Sequence, residues 1–483
     1  MLIPANMRKL LITVLGLLIP AFVFADVLTL DSCRALALQN NKQIKMADEA
    51  ITGAGYMRKS AHAAYLPGLD FTAGYMYNQH NIELLSEDAK LPTMKFNPAT
   101  MQYEYNLVTG PDGVPVKDPS TGNYIPSEIA VIPKDAMAFD VHNVIAGTFT
   151  LTQPIYMGGQ IRALNEIAKY GEDMAVSARN AAVQDLLYSV DESYWLVVSL
   201  KEKEKLAGSY ENLVDSLCYS VQMLLKHGMA TKSDLLTVEV KLNEAKIAKT
   251  KVTNGLSLAR MALEQLCGLP IGSEITLADE DGMKMPMLEP LPYYSLEEVY
   301  ARRQDLEVLR QSINLLESKE KLALSSMLPK VAAIGTYSFS NPNLNHGFKR
   351  SFGGGFSIGA AVTIPLWHWG GNYHKYTASK SATLAQRFLL EDMEEKVELQ
   401  INQARYKFQE AFKTLDMTRM NMQKADENLR SAQLGYREGV LTLDDVTAAQ
   451  TAWLQAHSEE LDAEIAVKLC EAYLSKVLGL TPY

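Results

Sequence analysis

Two stretches of the chain carry apolar or small residues at spacings that alternate between three and four positions. This alternation keeps one side of an α-helix apolar and is typical of a coiled-coil seam. The second stretch repeats the first at a constant offset of 211 residues. The first seam comprises Leu235, Val238, Leu242, Ala245, Val252, Leu256, Ala259, Leu263 and Leu266, and the second comprises Val446, Ala449, Trp453, Ala456, Ala463, Val467, Cys470, Leu474 and Val477.

One position of each seam is charged, and the two positions hold Lys249 and Glu460. Long charged side chains at a seam edge can keep their charge in water, so two solvated surface charges are one interpretation. The alternative pairs Lys249 with Glu460 across the approximate twofold relation between the repeats. Reversal of Glu460 to Lys should then destabilise the protein.

A longer helical stretch precedes each seam, at about Gln160 to Lys226 and Gly371 to Arg437. Each covers 67 residues. At 1.5 Å per residue such a helix spans about 100 Å, which far exceeds a globular domain. The pattern therefore predicts long helices held in a fixed register.

Each long helix is joined to its seam helix by a short turn that contains a glycine, Gly228 or Gly439. Glycine suits the left-handed position that follows a helix end. Thr231 and Thr442 come next as N-caps. Asp234 and Asp445 stand three residues later, in the spacing of a capping box.

Prolines and glycines outside the seams show the same duplication. Pro154 and Pro365 differ by 211 positions, whereas Pro67 and Pro329 differ by 262. The extra 51 residues fall between Pro67 and Pro154, where a proline-rich segment, 81–140, lies. A loop tolerates such an insertion, because closure entropy grows only with the logarithm of loop length.

Four segments of about ten residues alternate between apolar and small or polar side chains. In the clearest, Ser351 to Pro365, the apolar set is Phe352, Phe356, Ile358, Ala360, Val362 and Ile364. Alternation of this length is typical of membrane β-barrel strands. The alternative is a set of edge strands in a soluble sandwich.

Four strands cannot enclose a pore, since eight only just accommodate side chains inside. A pore would therefore need strands from several subunits. Pro67, Pro154, Pro329 and Pro365 mark the junctions between strands and helices. Proline suits these positions because it can neither extend a hydrogen-bonded ladder nor sit inside a helix.

The predicted domain organisation is two structural repeats, 26–270 and 304–483, joined by a linker at 271–303. The first repeat has a loop at 80–140 between its strands. The helices are expected at about 28–64, 160–227, 231–267, 304–327, 371–437 and 442–479, and the strands at about 68–79, 141–153, 330–340 and 351–364.

The N-terminus has the layout of a secretory signal peptide over residues 1–25. Arg8 and Lys9 precede the apolar run Leu10 to Phe24, and Ala25 supplies a small residue for cleavage. The run is too short to span a bilayer. Cys33 could belong to a lipoprotein motif, but Asp31 suits that motif poorly, and a buried helical Cys33 is the preferred interpretation. No later apolar stretch of 18 residues occurs, which leaves a soluble periplasmic protein or a β-barrel.

Composition and motifs argue against an enzyme and against a nucleic-acid binder. The net charge is −10, opposite to what nucleic acid attracts. Catalytic, nucleotide-binding and zinc motifs are absent from the sequence, so no cofactor and no metal site is expected. Trp367-His368-Trp369 with Tyr373 and His374 could form a ligand site, although an aromatic belt at a membrane interface fits better. Met283, Met285 and Met287 could hold Cu(I), or supply adaptable contacts in a linker.

Local motifs in their order resemble the TolC-type outer-membrane efflux family. Residues 28–41 (LTLDSCRALALQNN) resemble its opening helix, and Gln153 to Gly159 (QPIYMGG) resemble its passage from strand to helix. Ile364-Pro365-Leu366-Trp367 with Gly370-Gly371 forms the second copy. Tyr436, Gly439, Thr442 and Asp445, with Ala449-Gln450, are similar to the motif at its periplasmic tip. The resemblance covers essentially all of 28–481.

The resemblance implies a mainly α-helical protein with a membrane β-barrel. A homotrimer would form a twelve-stranded barrel in outer-membrane lipid, continuous with a twelve-helix periplasmic α-barrel. The loop at 80–140 would then be extracellular, and 271–303 with the C-terminal end would form a mixed equatorial domain partway down the α-barrel. The partners it implies are a periplasmic adaptor and an inner-membrane RND or ABC pump, and no nucleic acid. The tube would close at the two glycine turns and open when these partners dock.

The family places aspartates just past the second turn, where they line the tip. Asp445 matches the first of these positions, while Ala448 stands at the second, which is a departure. Asp444 adds a neighbouring carboxylate. Three copies would concentrate negative charge at one constriction and favour cations. Asp234 and Asp445 could equally act only as helix caps.

The function expected on these grounds is a passive exit duct for efflux or type I secretion in the outer membrane. Transport would carry small molecules such as drugs from the periplasm or the pump to the exterior. The alternatives are a periplasmic coiled-coil scaffold without a channel, and a secretion duct for a protein substrate. A secreted hydrolase is disfavoured because no nucleophile and base can be assembled.

Overall fold

The computed structural model describes residues 27–273, 275–280, 282, 294–343 and 346–480. The expected signal peptide at 1–25 and the three methionines Met283, Met285 and Met287 lie outside these residues. The helices are α1 (Leu30–Asn40), α2 (Lys42–Ala63), α3 (Gln160–Lys226), α4 (Lys232–Cys267), α5 (Leu296–Arg302), α6 (Gln304–Ser325), α7 (Gly371–Arg437) and α8 (Leu443–Val477).

The strands are mostly short, apart from four. They are β1 (Val27–Leu28), β2 (Gly68–Tyr77), β3 (Ile82–Glu83), β4 (Ala89–Pro92), β5 (Met94–Asn97), β6 (Gln102–Tyr105), β7 (Ile129–Ile132), β8 (Ala138–Phe139), β9 (Asn143–Tyr156), β10 (Thr276–Leu277), β11 (Lys330–Asn341) and β12 (Gly353–Thr363). The chain divides into two compact units, one formed by residues up to 59, 164–320 and 377 onward, and the other by 60–163 and 321–376.

The first unit is mainly helical and contains both seams. α3 and α7 each have 67 residues, and their starts and ends are offset by the same 211 positions. Most seam residues are buried, including Val238, Leu263, Val446 and Val467. The hydrophobic spacing therefore identified the packing face of both helices, which confirms that prediction.

Four helices share one hydrophobic core near the ends of α3 and α7. Val221 of α3, Val238 of α4, Ala432 of α7 and Val446 of α8 belong to it. The two repeats therefore pack on each other in this part of the helical unit.

The second unit contains a four-stranded antiparallel sheet in the order β12-β11-β9-β2. β2 and β9 come from the first repeat, and β11 and β12 from the second. The long pairing of β11 with β9, from Val331 to Asn341, joins the two hairpins into one sheet.

The prediction of a single helix at about 28–64 is wrong, because the chain breaks at Asn41 into two helices, α1 and α2. Asn41 has extended backbone angles (φ −61°, ψ 132°). Its Oδ1 accepts the backbone N–H of Gln43 at 2.8 Å, and its Nδ2 donates to the Leu266 carbonyl at 3.0 Å. An asparagine that bonds to nearby backbone groups competes with helical hydrogen bonding, which accounts for the break.

The segments expected to be a loop (80–140) and a linker (271–303) contain regular structure. In the first, β4 pairs with β7 and β5 with β6. In the second, β10 pairs in parallel with β1, and α5 begins after its N-cap Ser295. These strands are two to four residues long, too short for alternation to identify them.

The other element ends differ from expectation by up to three residues. α4 and α8 begin one residue later than expected, because Thr231 and Thr442 are extended N-caps rather than helical residues.

The suggested pairing of Lys249 with Glu460 is wrong, because within one chain each of the two side chains has a different partner. Lys249 Nζ lies 2.8 Å from Glu211 Oε2. Glu460 Oε1 lies 3.5 Å from Arg419 Nε. Each seam charge therefore pairs with the long helix of its own repeat, since those side chains lie within reach.

Candidate functional site

One face of the four-stranded sheet is apolar and exposed. Register pairs place Leu69 beside Leu151, Phe71 beside Phe149, and Tyr337 beside both Phe149 and Phe356. The rings of Phe71 and Phe149 lie 4.5 Å apart between centroids. Ile358 is 82% exposed and Phe356 is 78% exposed. We call this surface the apolar face, and its members are Leu69, Phe71, Tyr75, Tyr77, Ile145, Phe149, Leu151, Tyr337, Phe339, Phe356, Ile358 and Val362.

The opposite face carries hydroxyl groups in register. Asp70 pairs with Thr150, Thr150 with Thr336, and Thr336 with Ser357. Successive strand residues point to opposite faces, so the sheet separates an apolar surface from a polar one. We call this second surface the polar face. A soluble protein seldom exposes an apolar surface of this extent, and such a surface marks contact with a membrane or with another protein.

The two outer strands of the sheet have free edges in the part of the chain that the structure describes. β2 and β12 end the strand order on either side. A free edge presents unpaired backbone N–H and C=O groups, which makes it a template for pairing with another chain.

The four prolines lie at or near the ends of these strands. Pro67 and Pro329 each come just before a strand, and Pro365 comes two residues after β12. Pro154 instead lies inside β9, where the register with β11 shifts between Val331 and Ala332. A bulge accommodates the missing N–H of proline, which explains why the strand runs past Pro154 to Tyr156.

The two glycine turns of the helical unit have the same geometry. Gly228 and Gly439 adopt φ of 70° and 75°. Met229 N–H donates to Leu224 O, and Val440 N–H to Gly435 O, each at 2.8 Å. These six-to-one hydrogen bonds are those of a Schellman motif, which needs a left-handed residue and therefore favours glycine.

Each turn continues into a complete capping box. The Thr231 N–H donates to Asp234 Oδ2 at 2.8 Å, and the Thr442 N–H donates to Asp445 Oδ2 at 2.9 Å. The hydrogen bonds from the Thr231 backbone and side chain lower the pKa of Asp234. Those from the Thr442 side chain and backbone lower the pKa of Asp445. Both carboxylates therefore remain charged at neutral pH.

Asp444 differs from Asp445 in its role. Its side chain is exposed in the first turn of α8, and its backbone carbonyl accepts the Thr447 hydroxyl at 3.1 Å. The first turn of α8 thus holds two adjacent exposed aspartates, only one of which closes the capping box.

Tyr436 of α7 lies within electrostatic range of Asp234 in the other repeat, a proximity that sequence reasoning missed. Its pKa is raised by burial and, to a lesser degree, by the negative charge of Asp234. Tyr436 also packs against the core that the four helices share. The residue stood in the tip motif, but its neighbour across the repeats depends on tertiary packing.

The aromatic cluster near the end of β12 is exposed. Trp367 is 69% exposed and Trp369 is 87% exposed, and their rings meet edge to face at 5.9 Å. Among the described residues, no group of three or more His, Cys, Asp and Glu side chains is placed to hold a metal ion. No described helix combines the length and the apolar character needed to cross a bilayer.

Comparison with known proteins identifies the family. The outer membrane efflux protein family matches residues 140–269 and 295–480. No curated protein matches the chain significantly. The fold is similar to VceC, an outer membrane protein of Vibrio cholerae (TM-score 0.69, 15% identity, covering 93% of this chain and 96% of that one). It is also similar to two outer membrane channels. CmeC of Campylobacter jejuni gives a TM-score of 0.69 at 16% identity, covering 93% of this chain and 85% of that one. MtrE of Neisseria gonorrhoeae in its open state gives a TM-score of 0.70 at 18% identity, covering 93% of this chain and 88% of that one.

The fold and the family match together define an efflux protein of the outer membrane. The chain belongs to the outer membrane efflux protein family. This membership confirms the family resemblance and the efflux role, and it places the chain among channels rather than enzymes.

Proposed function

We propose that three copies of the chain form one outer-membrane exit duct of a tripartite efflux system. Each copy would contribute its four-stranded sheet to a twelve-stranded barrel. The observation that carries this proposal is the sheet itself, which is apolar on one face, polar on the other and free at both outer strands.

Closure of three sheets into one barrel would provide hydrogen-bonding partners for both free edges of each sheet. β2 of one copy would pair with β12 of the next, and the exposed backbone groups of both strands would gain partners. The apolar face, with Ile358 and Phe356, would contact lipid. The polar face, with Thr150 and Thr336, would line a water-filled lumen. A scaffold without a channel would leave the apolar face in water, which disfavours that alternative.

The gate in this proposal lies at the two glycine turns. Each turn is short, held by a Schellman motif and fixed by a capping box. Asp444 and Asp445 are exposed there, and three copies would bring six carboxylates to one narrow opening. Negative charge at a constriction attracts cations and slows anions.

Partners would dock beside the turns. A cleft of about 340 Å³ opens between α3, α7 and α8, and its lining includes Leu217, His227, Tyr436 and Arg437. A periplasmic adaptor could insert helix ends there and pull the turns apart. The energy would come from an inner-membrane RND or ABC pump, since the duct itself carries out no chemistry.

Cross-linking of the strand edges tests the assembly. In a variant with Cys218→Ser and Cys470→Ser, cysteines are placed at Thr72 of β2 and Ser357 of β12, both on the polar face. A bismaleimide applied to outer membranes should then give covalent dimers and trimers on denaturing gels.

Cysteines at Thr150 and Thr336 provide the matched control. These residues are register partners on adjacent inner strands of one chain. Their cross-link should leave the chain monomeric on the gel. If the edge pair also gives only monomers in properly inserted protein, the trimeric barrel is wrong.

A further inference from the structure

Two cysteines, Cys33 of α1 and Cys267 at the end of α4, lie together in the helical unit. Both are 0% exposed. The Cys267 thiol donates to the Cys33 carbonyl oxygen at a sulfur–oxygen distance of 3.6 Å. They are 234 positions apart in the chain, so only the fold brings them into contact.

Other contacts hold the same two segments together. Asn41 Nδ2 donates to the Leu266 carbonyl at 3.0 Å. A Cβ at Gly268 would lie only 2.5 Å from Asn40 Cβ, so the two backbones approach closely there. β1 pairs with β10 just beyond. The thiols therefore sit inside a rigid junction rather than on mobile ends.

We propose that Cys33 and Cys267 are joined by a disulfide in the exported protein and thereby lock the N-terminal helix onto the end of α4. An outer-membrane protein passes through the periplasm, where disulfides form and persist. Neither the efflux role nor the proposed trimer assigns a covalent bond here, so this inference stands apart from both.

The chemistry balances with a periplasmic dithiol–disulfide oxidoreductase as the oxidant. The two S–H bonds break and one S–S bond forms, releasing two protons and two electrons. The oxidant takes them up as its own disulfide is cleaved to two thiols. Because both cysteines are fully buried in the finished fold, exchange takes place during folding, before α1 closes over Cys267.

The contrast with the other two cysteines supports the pairing. Cys218 lies on α3 and Cys470 on α8, and both are partly exposed. They belong to different core clusters, and neither has another cysteine beside it among the described contacts. A disulfide in this protein should therefore be confined to one pair.

The first test is thiol trapping. Outer membranes are denatured in N-ethylmaleimide without reductant, and the peptides are identified by mass spectrometry. The expected result is one linked pair, Cys33 with Cys267, while Cys218 and Cys470 carry the maleimide. Reduction should separate the two linked peptides, and their summed mass should exceed that of the linked pair by about 2 Da. Four alkylated cysteines, or a lipid attached to Cys33, would overturn the proposal.

The second test is gel mobility without and with reductant. A closed loop of more than 200 residues makes the denatured chain more compact, so the unreduced protein should migrate faster. Cys33→Ser and Cys267→Ser should each abolish the shift, and Cys218→Ser should retain it. Wild-type protein from cells grown with dithiothreitol should lose the shift too, which keeps the test valid if a serine variant folds poorly. An unchanged mobility difference in either serine variant would contradict the pairing.

Discussion

The Thr442 hydroxyl donates a hydrogen bond of 2.7 Å to Asp445 Oδ2, and the same carboxylate oxygen accepts the Thr442 backbone N–H at 2.9 Å. One aspartate thus fixes both the side chain and the backbone of the residue that begins α8. Thr231 and Asp234 repeat the backbone part of this arrangement at α4. The turns that we propose as the gate are therefore built around ionised carboxylates.

Acid should loosen these turns. The folded-state pKa of Asp445 lies below its ordinary value, so its stabilising contribution is complete above that ordinary value and is lost as pH falls through the lowered pKa. Hydrogen exchange of the first amides of α8, corrected for intrinsic rates, should show falling protection from about pH 4 downward. Asp445→Asn should remove this dependence and Asp444→Asn should retain it. Equal behaviour of the two variants would exclude the capping role.

Alanine in place of Gly439 should destabilise the second turn. The left-handed backbone angle at this position costs a residue with a Cβ roughly 1–2 kcal/mol. No atom lies within 4 Å of a Cβ added there, so the effect arises from the backbone alone. Gly171→Ala in α3 is the matched control. A Cβ at Gly171 also meets no atom within 4 Å, but the backbone there is helical. Alanine there should stabilise by about 0.5–1 kcal/mol. Local exchange rates measure both effects, and a neutral Gly439→Ala would contradict the strained turn.

The duplicated seams and turns could be predicted from the sequence because each depends on local spacing. Residues such as Val238 and Val446 must face a partner helix wherever that helix lies. The break at Asn41 could not be predicted, since the helical pattern continues through it and the cause is a contact with Leu266. The order of the strands in the sheet could not be predicted from the sequence either. Nothing local to β9 or β11 specifies that strands from different repeats pair.

Lysine on the apolar face should block insertion, whereas lysine on the polar face should not. Ile358 and Ser357 are neighbours on β12 that point to opposite sides. A lysine facing lipid near the bilayer midplane costs about 2–4 kcal/mol. Ile358→Lys should therefore reduce the yield of urea-resistant trimers in outer-membrane fractions, and Ser357→Lys should leave it near wild type. The reverse order would show that the faces are wrongly assigned.

Reversal of Glu460 should act through Arg419 rather than Lys249. Arg419 lies 3.5 Å from Glu460 and 2.8 Å from Glu464. Glu460→Lys should lower the thermal midpoint, and adding Arg419→Glu should recover part of the loss. Adding Lys249→Glu instead should recover nothing, because Lys249 contacts Glu211. If Lys249→Glu recovered the thermal midpoint of Glu460→Lys and Arg419→Glu did not, the pair Lys249–Glu460 would be supported instead.

We propose that this chain forms a gated channel with its constriction at the glycine turns. Single-channel recording in planar bilayers is the decisive experiment, with wild-type protein and with the double variant Asp444→Asn plus Asp445→Asn. We predict small cation-selective openings in the wild type and a loss of cation selectivity in the double variant. Correctly folded trimers that never conduct, in either form, would contradict a channel, and unchanged selectivity would remove the aspartates from its gate.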